Sequence, residues 1–228
     1  MLKRWDRDTE LLLVVAHWEQ KLDWVTSQTD FPYVIGWKLS EDAICGVPVN
    51  KGAEGSTYLK FIINNWSDLP KRICFLDDHE RSWHQPFDMI EKLRVIRNGV
   101  GLPDGFFPLN DMTIDTMEEF RNWRYELFSP VWDAVVKPHL QMDCPTRIVA
   151  DGSAQFIVSR DRIHANSIAL YEDLYAYCIG TKRWVGDKEW RDGAGYSFSP
   201  GGQDWIGGNY FLEWIWHLVF KIKFEPHT

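Results

Sequence analysis

Hydrophobic positions alternate between unbroken short runs and helical spacing through the first half of the chain. Leu11–Ala16 is a continuous apolar run, the pattern of a strand buried on both faces within a mostly parallel sheet. His17-Trp18-Glu19 ends it, and Gln20–Ser27 reads as a short amphipathic helix. Tyr33–Trp37 and Arg72–Leu76 read as a second and a third strand. Between them, Leu59, Ile62, Ile63 and Trp66 share one helical face behind Ser56, a candidate cap, and Leu69-Pro70 stops the helix. Pro86 opens a further helix with Ile90, Leu93 and Ile96 along one side.

The second half is less regular. Residues 98–111 are rich in Gly and Pro and read as loop, and 116–140 as helix broken near Pro130. Arg147–Ala150 and Gln155–Ser159 read as short strands flanking Asp151-Gly152, a hairpin signal. Asn166 is a candidate cap for a helix ending near Ile179. The glycine-rich stretch 186–209 is too long for an ordinary connection and reads as a lid. A last helix over about 210–221 places Leu212, Ile215, Trp216 and Val219 on its core side. The alternation of strands and helices predicts one α/β domain over residues 1–228, with a central, mostly parallel sheet flanked by helices.

Charge and cysteine usage narrow the function classes. With 33 Asp+Glu against 25 Lys+Arg, the net charge of −8 argues against a nucleic-acid partner. Cys45, Cys74, Cys144 and Cys178 are far apart, the usage of free thiols in a reducing compartment. Met1-Leu2-Lys3-Arg4 has no secretory character, and the apolar runs are too short to span a bilayer, so a soluble cytoplasmic protein is expected. Membership of a longer polypeptide stays open. The 13 Trp residues supply a large aromatic core and flat faces on which a sugar can stack.

Ligands of open α/β sheets bind beyond the carboxyl ends of the strands. Three strands here end in polar residues: His17-Trp18-Glu19, Trp37-Lys38 and Asp77-Asp78-His79. Two adjacent carboxylates at a strand end suit a divalent cation, which takes one or two carboxylates plus ligand phosphates. The plain alternative is one capping Asp and one solvated Asp. The His79–His84 spacing does not put both imidazoles on one helical face, so zinc is disfavoured.

Phe75-Leu76-Asp77-Asp78-His79 resembles the Asp-x-Asp-like motif of nucleotide-sugar glycosyltransferases of the GT-A, single Rossmann-like type, with His79 where the strict motif has an acid. Val14-Val15-Ala16-His17, Asn50-Lys51-Gly52, Glu54, Thr57-Tyr58-Leu59, His79, Ser82-Trp83-His84, Gln155–Arg160, Glu213 and Trp216-His217 resemble uncharacterised relatives of these transferases, and virus-encoded glycosyltransferases acting on capsid-protein glycans. The resemblance implies a GT-A-like domain with the donor and metal in its N-terminal half and the acceptor in its C-terminal half. It implies a UDP-sugar donor (UDP-glucose or UDP-rhamnose), Mn²⁺ or Mg²⁺, a glycan or glycoprotein acceptor, and, for a viral protein, the host cytoplasm.

In this reading Ala16, His17, Trp18, Lys51, Tyr58, Asp77 and Asp78 hold the nucleotide-sugar. The Ala16-His17 backbone meets the base or ribose, Trp18 stacks, and Lys51 meets the diphosphate. Asp78, with His79, holds the metal. Asp151 is the first choice of base for the acceptor hydroxyl, against the alternative of a plain Asp-Gly turn. Glu213 is the second, one helical turn before His217, its partner in catalysis or in a surface pair. In-line displacement with inversion is the simplest mechanism. A metal-dependent phosphoesterase or nucleotide hydrolase using the same Asp77-Asp78, and a non-catalytic carbohydrate-binding module built on the Trp residues, are the competing expectations.

Overall fold

The structure, a computed structural model, describes residues 5–41, 44–81, 87–117, 125–151, 154–180 and 210–220, with the side chains of Leu127, Asp151 and Tyr210 outside that description. Among the described residues the strands are β1 (Leu12–His17), β2 (Tyr33–Trp37), β3 (Arg72–Leu76), β4 (Phe106–Pro108), β5 (Thr113–Asp115), β6 (Val149–Asp151) and β7 (Phe156–Ser159). The helices are α1 (Asp23–Thr26), α2 (Ala53–Asn64), α3 (Met89–Gly99), α4 (Tyr125–Val131), α5 (Lys137–Leu140), α6 (Arg160–His164), α7 (Ile168–Ile179) and α8 (Tyr210–Phe220), with a π-helical turn at Trp132–Val136 joining α4 to α5. Pro130 lies inside α4, where it lacks the N–H of a regular turn, and the wider π turn follows directly.

The expected single, mostly parallel Rossmann-like sheet is not what forms. There are two sheets. One has five strands in the order β2-β1-β3-β7-β4, the other only β5 and β6. β1 runs parallel to β2 and to β3, but β7 is antiparallel to both β3 and β4. The physical reason is that Phe156-Ile157-Val158 is buried on both faces, and such a run reads identically in either direction. The expected Asp151-Gly152 hairpin is also absent, because β6 pairs with β5 in the small sheet while β7 enters the large one. β4 and β5 were hidden in segments read as loop and loop-to-helix boundary. At three residues each they are too short to carry a period.

Two buried clusters cover the large sheet. Leu12, Val14, Phe75, Phe156 and Val158 face α2, α7 and α8. Leu13, Val15, Cys74, Leu76 and Ile157 face α1 and α3. The strict alternation of residues between the clusters is the two-residue period of a strand covered on both sides. All four cysteines are free, and no helix among the described residues is long and apolar enough to cross a membrane.

Helix starts differ from expectation where tertiary contacts decide them. α2 begins at Ala53 behind Gly52 in the left-handed region (φ 66°), and Ser56 lies buried within its first turns instead of capping it. α7 is preceded by Ser167, while Asn166 donates from Nδ2 to the Val219 carbonyl at 2.7 Å and ties α7 to the end of α8. α3 is capped by Asp88, whose Oδ1 accepts from the Glu91 N–H at 3.0 Å. Pro86, His84 and the glycine-rich 186–209 stretch fall outside the described residues.

Candidate functional site

The carboxyl ends of β1, β2 and β3 lie side by side, and their polar residues meet there. His17 closes β1 opposite Trp37 at the end of β2, with the two rings edge-to-face at 4.3 Å. Asp78, two residues past β3, turns back under the loop that follows β1. Its Oδ2 accepts from the backbone N–H groups of Trp18 (2.8 Å), Glu19 (3.2 Å) and Gln20 (3.2 Å), and His17 Nδ1 lies 3.1 Å away. The Asp78 carbonyl accepts from Trp24 Nε1 at 3.3 Å. Asp78 is thus the tie that folds the β1–α1 loop over the strand ends, with its side chain 8% exposed.

Asp77 and His79 flank that tie and reach solvent, at 16% and 49% side-chain exposure. The His79 N–H donates to Asp77 Oδ1 at 3.0 Å. Its imidazole lies 3.7 Å from Asp77 and 3.5 Å from Asp78 Oδ1. The Asp77 carboxylate beside it holds the imidazole pKa above its ordinary value, with Asp78 and Glu54 adding to the rise and burial opposing it.

Helices α2 and α8 bring two more carboxyls to the same place. A Cβ added at Gly55 would lie 2.4 Å from Leu212 Cδ1, and one at Gly52 would lie 2.8 Å from the Cys178 Cβ. Only glycine allows the first turn of α2 to sit this close to α7 and α8. Glu54 and Glu213 lie in the first turns of α2 and α8. Each keeps a partly exposed edge while protein surrounds the rest. Burial raises the Glu54 carboxyl to about 7, with Asp77 adding to the rise and Lys38 and His79 opposing it. Burial also raises Glu213 well above the carboxylate range, with Glu54 and Asp77 adding to it. Like charges in one partly dry cleft cannot all ionise together, so protons are retained there near neutral pH.

Lys38 underpins the cleft. Buried at the end of β2, its ammonium donates to the Lys51 carbonyl at 3.1 Å, to the Ala53 carbonyl and to Ser56 Oγ. Burial lowers its pKa to about 8, with Glu54 opposing. This cation therefore fixes the loop that starts α2 and places Glu54.

The residues singled out from sequence divide into three groups. His17, Trp18, Asp77, Asp78, His79 and Glu213 are brought together. Ala16, Tyr58 and His217 are core positions, at 5%, 0% and 7% exposure. Tyr58 packs its ring 4.7 Å from Phe75, and its buried hydroxyl has no hydrogen-bond partner among the described residues. Lys51 contributes its carbonyl to Lys38, and that carbonyl also accepts from Ser56 Oγ at 2.7 Å. Asp151 ends β6 opposite Thr113, in the small sheet, with its side chain outside the described residues. No group of three His, Cys, Asp or Glu among the described residues is placed to hold a metal ion.

Sequence reasoning gave Glu54, Lys38 and Trp37 no role, although Glu54 stood among the positions of resemblance and Trp37-Lys38 among the polar strand ends. Glu54 had no other local signal. Trp37 had one, since an aromatic residue closes a strand whose end faces the site, and it is 49% exposed beside Leu39, which is 64% exposed and held at φ 55°. A non-glycine residue in that left-handed conformation, exposed and apolar, marks a segment shaped by something other than its own preference.

The chain belongs to the family described as "Protein of unknown function (DUF3431)", which matches residues 13–226. No curated protein and no solved structure matches it.

Proposed function

We propose that this family member is an enzyme transferring a sugar from a nucleotide-sugar to an acceptor hydroxyl, with Glu54 as the group that takes the acceptor proton. The observation that carries the reading is the cleft at the carboxyl edge of β1, β2 and β3. There Glu54 and Glu213 hold raised pKa values beside Asp77 and His79. A base is most effective when its pKa lies near the working pH, and Glu54 at about 7 meets that condition. Glu213 keeps its proton and serves as a neutral donor to the same cleft.

The sequence resemblance to UDP-sugar transferases supports the donor class. Trp37 and Leu39 offer an exposed apolar face for a base or sugar ring beside His17. Asp77 and His79 would hold a Mn²⁺ or Mg²⁺ ion arriving with the donor diphosphate, and that ion would supply Lewis-acid stabilisation of the leaving nucleotide. With one or two protein ligands, such an ion would draw on the donor phosphates to complete its set. Asp78 acts by holding the Trp18–Gln20 backbone in place.

The test is calorimetric titration of UDP and UDP-glucose, with and without Mn²⁺, followed by turnover with simple sugar acceptors. The reading expects UDP binding that weakens in His79→Ala, and turnover lost in Glu54→Gln while UDP binding is kept. Absence of UDP binding under every metal condition refutes it.

A further inference from the structure

We propose that the opposite end of the large sheet carries a second ligand site, for a small phosphorylated anion. Arg72 opens β3 and pairs in register with Ser159, the last residue of β7. Where the two strands meet, a cavity of about 520 Å³ is lined by the cations Lys71, Arg72, Arg160 and Arg162 and by the carboxylates Asp104 and Asp161. Five strand rises separate Arg72 from Asp77, about 16 Å. The cavity and the carboxyl-edge cleft are therefore different places.

Four cations around one cavity are unexpected in a chain of net charge −8. Two of them have carboxylate partners. Glu10 bridges Lys71 (2.5 Å) and Arg72 (3.2 Å), and Asp104 meets Arg72 at 2.5 Å. Both acids are largely exposed, at 61% and 88% of their side chains, so water and salt weaken their hold. Arg160 donates from Nη1 to the carbonyls of Arg7 (3.0 Å) and Leu69 (3.1 Å). Those bonds fix the guanidinium without neutralising it.

Arg162 is the decisive residue. Its Nη1 is buried and has no hydrogen-bond acceptor among the described residues. Buried donors are nearly always paired, and an unpaired one on a charged group is costly. The guanidinium lies over Gly105, where an added Cβ would be 3.4 Å from Arg162 Nε, and Gly105 holds φ 97°. Ser159 donates its N–H to the Gly105 carbonyl at 2.9 Å, so β7 and the turn before β4 hold the arginine's support. Two guanidiniums, one of them fixed by backbone carbonyls, and a lysine around one cavity match the oxygens of a phosphate group. The cavity is larger than orthophosphate alone and suits a phosphorylated small molecule.

The probe is inorganic pyrophosphate, titrated into the full chain and followed by amide chemical shifts at Gly105 and Arg160–Arg162. Saturable shifts at these amides are expected, weakening as salt is raised. Arg162→Gln is expected to weaken binding about 10- to 100-fold, the loss of one charged hydrogen bond. Lys71→Gln, at a more exposed position, provides a second variant with a smaller loss in the same direction. Shifts confined to Asp77–His79 would mean that pyrophosphate occupies only the carboxyl-edge cleft, and would overturn the proposal. So would shifts at Gly105 that persist unchanged in Arg162→Gln. The readout at Gly105 is independent of UDP binding, so failure of the transferase reading leaves this site standing.

Discussion

Replacing Asp78 with Ala separates a structural tie from a ligand-binding carboxylate. In the native fold one oxygen of Asp78 accepts three backbone N–H groups and lies against the His17 imidazole. Hydrogen bonds to a charged group contribute about 1.5–3 kcal/mol each, but four donors on one oxygen do not add in full. Glu19 and Gln20 are exposed and regain water when the carboxylate is removed, whereas His17 is buried and Trp18 only partly exposed. The expected loss is about 3–5 kcal/mol, within the range for breaking a buried network. For a chain of this length that lowers the melting temperature by about 6–20 °C. Asp78→Asn keeps an acceptor but not the charge, and should lose about half as much. Urea unfolding read by tryptophan fluorescence, with thermal melts alongside, measures both variants. If Asp78→Ala unfolds within about 0.5 kcal/mol of the native chain, the tie is refuted and Asp78 is free to serve as a ligand.

Further outcomes follow from neighbouring residues. The Glu54 carboxyl is raised from 4.5 to about 7 in the fold, so the folded chain retains a proton that the unfolded chain releases. Its contribution to stability is complete below pH 4.5 and declines as pH rises through about 7. Glu54→Gln should flatten that decline in a series of urea titrations, and an unchanged slope would show that Glu54 is not the proton-retaining group. A Cβ at Gly36 would lie 2.2 Å from Thr57 Cγ2 and 3.0 Å from the Cys45 carbonyl. Gly36→Ala should therefore destabilise by about 1–3 kcal/mol, and a neutral result would show that β2 can move away from α2. Trp37→Ala should destabilise by about 1–3 kcal/mol, through its buried half and its edge-to-face contact with His17, and weaken UDP-sugar affinity. Equal affinity in titrations of native and variant chains would remove Trp37 from the donor site.

The sequence by itself determined what repeats locally. Tyr33–Trp37 and Arg72–Leu76 were legible as strands to the residue, because short apolar runs end where polar residues begin. The meeting of His17 and Asp77-Asp78-His79 was legible too, since adjacent parallel strands align their carboxyl ends. What the tertiary structure decided was everything resting on direction or on contacts between distant segments. β7 runs antiparallel, and β6 leaves for the small sheet, because strand pairing depends on where each segment enters the sheet and not on its composition. Ser56 and Asn166 carry the chemistry of helix caps, but Lys38 and the Val219 carbonyl claim them. Glu54 lies in an ordinary first turn. Its raised pKa comes from burial, with Asp77 adding to it, and the sequence states neither that burial nor that proximity. Periodicity records which face of an element is buried, whereas a site is a property of the ends of several elements, and only packing brings those ends together.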